Sequence, residues 1–179
     1  MTLYDIIAQG IGIIAMAFNI YSFQMKTSNK VILCQMIGGF FFSVSFFMLG
    51  ATVGGILNAI AAFRAIIYMN EKKFHADHIL WLVFFECLFV LSYILTFTVF
   101  GKEMTVSNTL IELLPVIGMT ASTISFRINN AKAIRLFGLI SSPSWLIYNI
   151  INFAVGAIVC EVLSLFSIFI GLWRYDRKK

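Results

Sequence analysis

Long apolar runs separated by short polar joints fill this chain from end to end. Seven runs stand out: 5–25, 31–49, 53–69, 79–100, 106–126, 133–151 and 153–173. Each is near the ~20 residues a helix needs to cross hydrocarbon. They are continuously apolar, whereas barrel strands alternate. A helix also satisfies its own backbone N–H and C=O groups, which lipid cannot do. The pattern predicts an all-α, polytopic membrane protein with seven transmembrane helices.

The joints carry the charge. Of thirteen Lys and Arg residues, eleven fall in or beside the joints after runs 1, 3 and 5 or beyond run 7: Lys26, Lys30, Lys72, Lys73, Arg127, Lys132, Arg135, Arg174, Arg177, Lys178 and Lys179. Lys102 alone falls on the other side, and Arg64 lies within a run. Cytoplasmic loops collect Lys and Arg, so the N-terminus is expected outside and the C-terminus in the cytoplasm of a bacterial inner membrane.

Composition narrows the class further. The 179 residues are 60% hydrophobic and 12% charged, against about 25% charged in a soluble domain, so a water-exposed globule could not be covered. The net charge of +5 comes from joint residues and does not point to nucleic acid. Cys34, Cys87 and Cys160 each sit inside an apolar run, where cysteine behaves as a small hydrophobe. His75 and His78 lack further ligands nearby, so neither a metal site nor a cofactor is expected. The first run has no basic leader or small-residue cleavage site and is expected to be retained as a helix.

An internal repeat organises the runs. Ser22-Phe23-Gln24-Met25 aligns with Ser125-Phe126-Arg127-Ile128 at an offset of 103, and Lys30 pairs with Lys132 at 102. Ile32 then matches Ile134, Val53-Gly54 matches Val155-Gly156, and Asp5 and Gln9 match Asn108 and Glu112. A three-span unit duplicated directly would invert, and an odd linker span restores its direction. The expected domains are a first three-helix repeat over 1–77, a linker helix over 78–104, and a second repeat with a basic tail over 105–179. Parallel repeats of this kind are a transporter design with the site between the copies near mid-bilayer.

This three-plus-one-plus-three plan resembles the SWEET and PQ-loop superfamily. More narrowly, the whole chain looks like the YgjV family of small bacterial inner-membrane proteins. The superfamily's Pro-Gln signature falls here on Phe23-Gln24 and Phe126-Arg127, so both prolines and one glutamine are absent. The resemblance implies a tryptophan in the second helix of a copy and an asparagine in the third, flanking the substrate. Carried over, Trp145 takes the first role and Glu161 stands at the second. In the first copy the matching positions are Ser43 and Ala59, with Asn58 adjacent.

Several residues are chemically out of place in lipid. Glu161 lies about eight residues, hence about 12 Å, into the last run. An intramembrane carboxylate is costly and by default a functional candidate. A carboxylate there argues against a plain neutral sugar and suits proton coupling or a cationic or zwitterionic ligand. Asn19, Asn58 and Asn149 must find partners, either between helices or on a ligand. Asn152 is a further polar residue of this kind. Arg64 could snorkel to the nearby polar joint, and Arg64 with Glu86 is a candidate ion pair. Glu112 reads as an interfacial residue. Pro115 and Pro143 remove backbone hydrogen bonds. Gly38-Gly39 falls at the level of Ile140-Ser141, so these weak points are candidate hinges.

The expectation is a facilitator or proton-linked transporter of a small polar metabolite, working by alternating access and not an enzyme. Glu161, Trp145, Asn58, Asn149, Asn19 and Ser43 would line its site. The alternative is a non-transporting membrane ligand-binding or assembly protein of the same fold. The partners expected are the lipid bilayer, the metabolite and a proton, with a homo-oligomer as a candidate assembly.

Overall fold

A computed structural model describes residues 3–48, 52–151 and 155–176, with the backbone alone for 52–54, 155 and 156. Asn152 and the basic residues Arg177, Lys178 and Lys179 lie outside the described residues. The chain is all-helical among them: α1 (Leu3–Ser22), α2 (Ser28–Met48), α3 (Thr52–Met69), the single turn α4 (Glu71–Phe74), α5 (Ile79–Thr98), α6 (Val106–Ile128), α7 (Ala131–Ile151) and α8 (Val155–Gly171), which runs into a π-helical turn, Leu172–Asp176. Six of these helices, the last counted over Ala157–Asp176, are long and apolar enough to cross a membrane. The apolar stretch of α3, Gly55–Met69, is shorter.

Local chemistry sets the ends. Thr105 Oγ1 accepts from the amide of Asn108 and caps α6, while Asn130 Oδ1 accepts from Lys132 and caps α7. His78 Nδ1 caps α5 through Leu80. Asn129 closes α6 in the left-handed conformation at φ 50°, which asparagine tolerates better than most residues. Both prolines sit inside continuous helices, Pro115 in α6 and Pro143 in α7.

Packing follows chain order, with α2 against α1 and α3, and α7 against α6 and α8. Helix α5 packs mainly on α6. Across the molecule α1 meets α8, α3 meets α6 and α2 meets α7. Gly38 lets α2 approach α1, since a Cβ there would meet the Ala15 carbonyl oxygen at 3.0 Å.

The molecule is apolar outside and polar inside. Leu3, Ile13, Phe40, Leu91, Val159, Phe166 and Phe169 are exposed, as suits contact with lipid, while Ser22, Ser45, Thr123, Ser125, Ser142, Ser164 and Ser167 are buried. The polar joints meet at one end. There Arg127 donates to the Asp77 carbonyl, Asn129 to Glu71, and Lys26 lies over the Tyr175 ring. This basic end also holds an apolar core in which Tyr68, Phe85 and Phe126 are in ring contact.

Candidate functional site

A cavity of about 340 Å³ lies between the first three and last three helices. Its wall reaches from Gln9 to Phe23 along α1, fourteen residues or about 21 Å of helix. The structure brings five expected residues to this wall: Glu161, Trp145, Asn58, Asn149 and Asn19. Ser43 is not among them, because its hydroxyl donates to the Gly55 carbonyl at 2.9 Å and ties α2 to α3. Gly39 reaches the wall, whereas Gly38 is held in the α1–α2 contact.

Arg64 behaves differently from the snorkelling expected of it. It is 4% exposed, lines the cavity, and reaches sideways to α6. Nη1 donates to the Met119 carbonyl at 3.0 Å and to Thr123 Oγ1 at 2.7 Å, and the guanidinium lies 4.9 Å from the Phe126 ring centre. The expected ion pair with Glu86 is not formed. Glu86 Oε2 instead accepts from Thr120 Oγ1 at 2.5 Å, so each charged group is held by its own threonine of α6. Nor is Glu112 simply interfacial: it is buried, pairs with Lys102, and is hydrogen-bonded to Tyr148.

Hydroxyls line the wall between α6 and α7. Ser122 donates to Ser141 Oγ at 3.1 Å, and the neighbouring Ser142 lies close to Glu161. Trp145 packs its indole on Gly118, where a Cβ would stand 2.8 Å from Nε1. The hydropathy pattern could not single out Gln9, Gln35 or these serines, because serine is ordinary in membrane helices and only the helix phase decides which way it points.

Hydrogen bonds cross between helices at the basic end of the cavity. Arg135 is fully buried. Its Nε donates to the Phe23 carbonyl at 2.9 Å, Nη2 to the Met25 carbonyl, and Nη1 to Asp176 Oδ2 at 2.7 Å. Arg135 thus satisfies carbonyls of the turn that follows α1, while Ser167 Oγ donates to the Ile20 carbonyl in the helix's last turn. Gln24 Nε2 adds bonds to the Ser167 carbonyl and hydroxyl at 2.6 and 2.9 Å. Gly171 permits this junction, since a Cβ there would meet the Phe23 carbonyl oxygen at 2.4 Å.

Apolar flanks with a polar, partly charged cavity enclosed by helices define an integral membrane protein built around an internal site. The chain belongs to the Imp-YgjV family of bacterial inner membrane proteins, whose model matches residues 6–179. No match was found among curated proteins or solved structures.

Proposed function

We propose that this protein carries a small polar solute across the bacterial inner membrane by alternating access. In this reading α1–α3 and α6–α8 are parallel copies of one unit and α5 is the inverting linker, giving seven spans in a 3+1+3 plan like that of the SWEET and PQ-loop superfamily. The N-terminus is outside and the basic end is cytoplasmic.

The observation that carries the reading is one cavity shared by both units and walled by equivalent residues. Met16 and Asn19 of α1 and Phe23 just beyond it line the cavity, as do Met119, Ser122 and Phe126 of α6, each pair 103 apart. The contacts obey the same symmetry, because exchanging the units turns the α1–α8 contact into α6–α3 and maps α2–α7 onto itself. Hydrogen bonds between the units gather toward the basic end, at Arg135, Gln24 and Arg64. That arrangement suits a carrier caught closed toward the cytoplasm. Pro115, Pro143 and Gly39 then lie where rocking would bend the helices.

The test is flux. Purified protein in liposomes, loaded with a mixture of polar metabolites, should release particular solutes faster than protein-free liposomes. Ligand-induced thermal stabilisation without flux of any stabilising solute would instead favour a receptor or assembly role.

A further inference from the structure

Two opposite charges share this cavity without touching. Among the described residues, Arg64 and Glu161 are the charged side chains of its wall. The ion pairs among the described residues are Lys102–Glu112 and Arg135–Asp176, so neither charge is neutralised by the other. They come from opposite units, Arg64 from α3 and Glu161 from α8.

They also stand at one depth. Arg64 Nη1 bonds Thr123 Oγ1. Ser122, the next residue of α6, bonds Ser141 of α7, and the next residue, Ser142, lies close to Glu161. The steps between helices pass through hydroxyls, and the two steps along a helix are one residue each, about 1.5 Å. The chain therefore runs around the wall at a single level, with a cation at one end and a carboxylate at the other. Arg64 Nε is buried without a hydrogen-bond partner among the described residues, and a buried guanidinium donor left unpaired is costly.

We propose that the solute is a small zwitterion with a carboxylate and an ammonium group, of the amino-acid class. Arg64 receives the carboxylate, Glu161 receives the ammonium, and the hydroxyls of Ser122 and Ser141 with the amides of Asn19 and Asn58 surround the body between them. Two cross-wall charges fix the solute's orientation and bring both units into contact with it. A cavity of about 340 Å³ is at the small end of ligand sites, which favours a compact molecule. Trp145 supplies an apolar face on the same wall. This inference deepens the transport reading, but its first readout is binding, which does not depend on flux.

The protein is placed in nanodiscs and its thermal stability is measured with each of the common α-amino acids. Every amino acid that stabilises it is then compared with its decarboxylated amine and its deaminated acid. At least one amino acid is expected to bind, and its one-charge analogues at least about tenfold more weakly, the loss typical of a missing charge-assisted bond. Arg64→Lys and Glu161→Gln should each lose a similar factor while eluting as monodisperse protein. If an amine or an acid binds as well as its parent, or if only uncharged polyols bind, the zwitterion assignment is overturned and the transport reading stands. If no amino acid binds, the assignment is also overturned. If amino acids bind as expected but never cross a liposome membrane, the assignment holds and the transport reading fails.

Discussion

Arg135 of α7 and Asp176 at the end of the chain's π-helical turn are joined at 2.7 Å, and through that bond the C-terminal segment clamps the end of α1. The guanidinium also holds the carbonyls of Phe23 and Met25, so one buried side chain joins three elements from both halves of the molecule.

Removing this clamp's charge partner should loosen the basic end. Asp176→Asn keeps the shape and removes the ionic component of one bond. A charge-assisted hydrogen bond contributes about 1.5–3 kcal/mol, so the open population should rise about tenfold or more. A Met16→Cys reporter in a background with Cys34, Cys87 and Cys160 replaced would read this. Its labelling by an impermeant thiol reagent from the basic side should accelerate by that factor. An unchanged rate would mean that the clamp is static.

Gly171→Ala tests the same junction by shape instead of charge. Its Cβ would lie 2.4 Å from the Phe23 carbonyl oxygen and 2.8 Å from Arg135 Nε. The first of these is backbone and yields little. Overpacking of this kind costs about 1–3 kcal/mol, so thermal unfolding in detergent should shift down clearly. Gly10→Ala is the control, because a Cβ there meets nothing within 4 Å.

Gly118→Ala should disturb the solute site without touching its polar groups. The new methyl would meet the Trp145 indole at 2.8–2.9 Å, and the ring is a side chain that can move. It has the cavity to move into, so the expected result is a smaller site and about tenfold weaker uptake or binding, within the same overpacking range, with little change in yield. Wild-type affinity in this variant would remove Trp145 from the site.

Ser22 and Ser125 show what the sequence could reveal. Each donates to the carbonyl three residues earlier, Asn19 at 2.6 Å and Ser122 at 2.7 Å, and both are buried. These two serines, aligned in the sequence, make the same local hydrogen bond. Glu161, Trp145, Asn19, Asn58 and Asn149 were legible because a polar or bulky aromatic residue in an apolar run is conspicuous by type alone. Arg64 was misread, and Arg135 was read only as one more basic residue of the positive end, because type does not give helix phase. Both lie within a turn or two of a polar joint, where a solvated head is the ordinary outcome. Only the docking of α6 on α3, and of the α1 end on α7, turns each side chain inward. Ser43 misled in the opposite direction, since its match to Trp145 in the repeat says nothing about which neighbour its hydroxyl will find.

The linker helix α5 should travel with α6–α8. It is tied to α6 at three levels: Glu86 to Thr120 at 2.5 Å, Tyr93 Oη to the Thr109 carbonyl at 3.3 Å, and, beyond its end, Lys102 to Glu112. Its contact with α3 is weaker and includes ring packing of Phe85 against Phe63 and Tyr68 near the basic end. Polar ties between helices in lipid are individually modest, about 0.6 kcal/mol on average, but three along one interface make it much stiffer than a single apolar contact. Cross-linking Glu86→Cys to Thr120→Cys with a short bifunctional reagent should therefore leave at least half of the flux. Cross-linking Gln24→Cys to Ser167→Cys joins α1 to α8 across the two moving units and should abolish it. Reducing a cleavable version of the second cross-link should restore transport, which separates a lock from simple damage. Equal loss in both pairs would mean that α5 is a separate moving part.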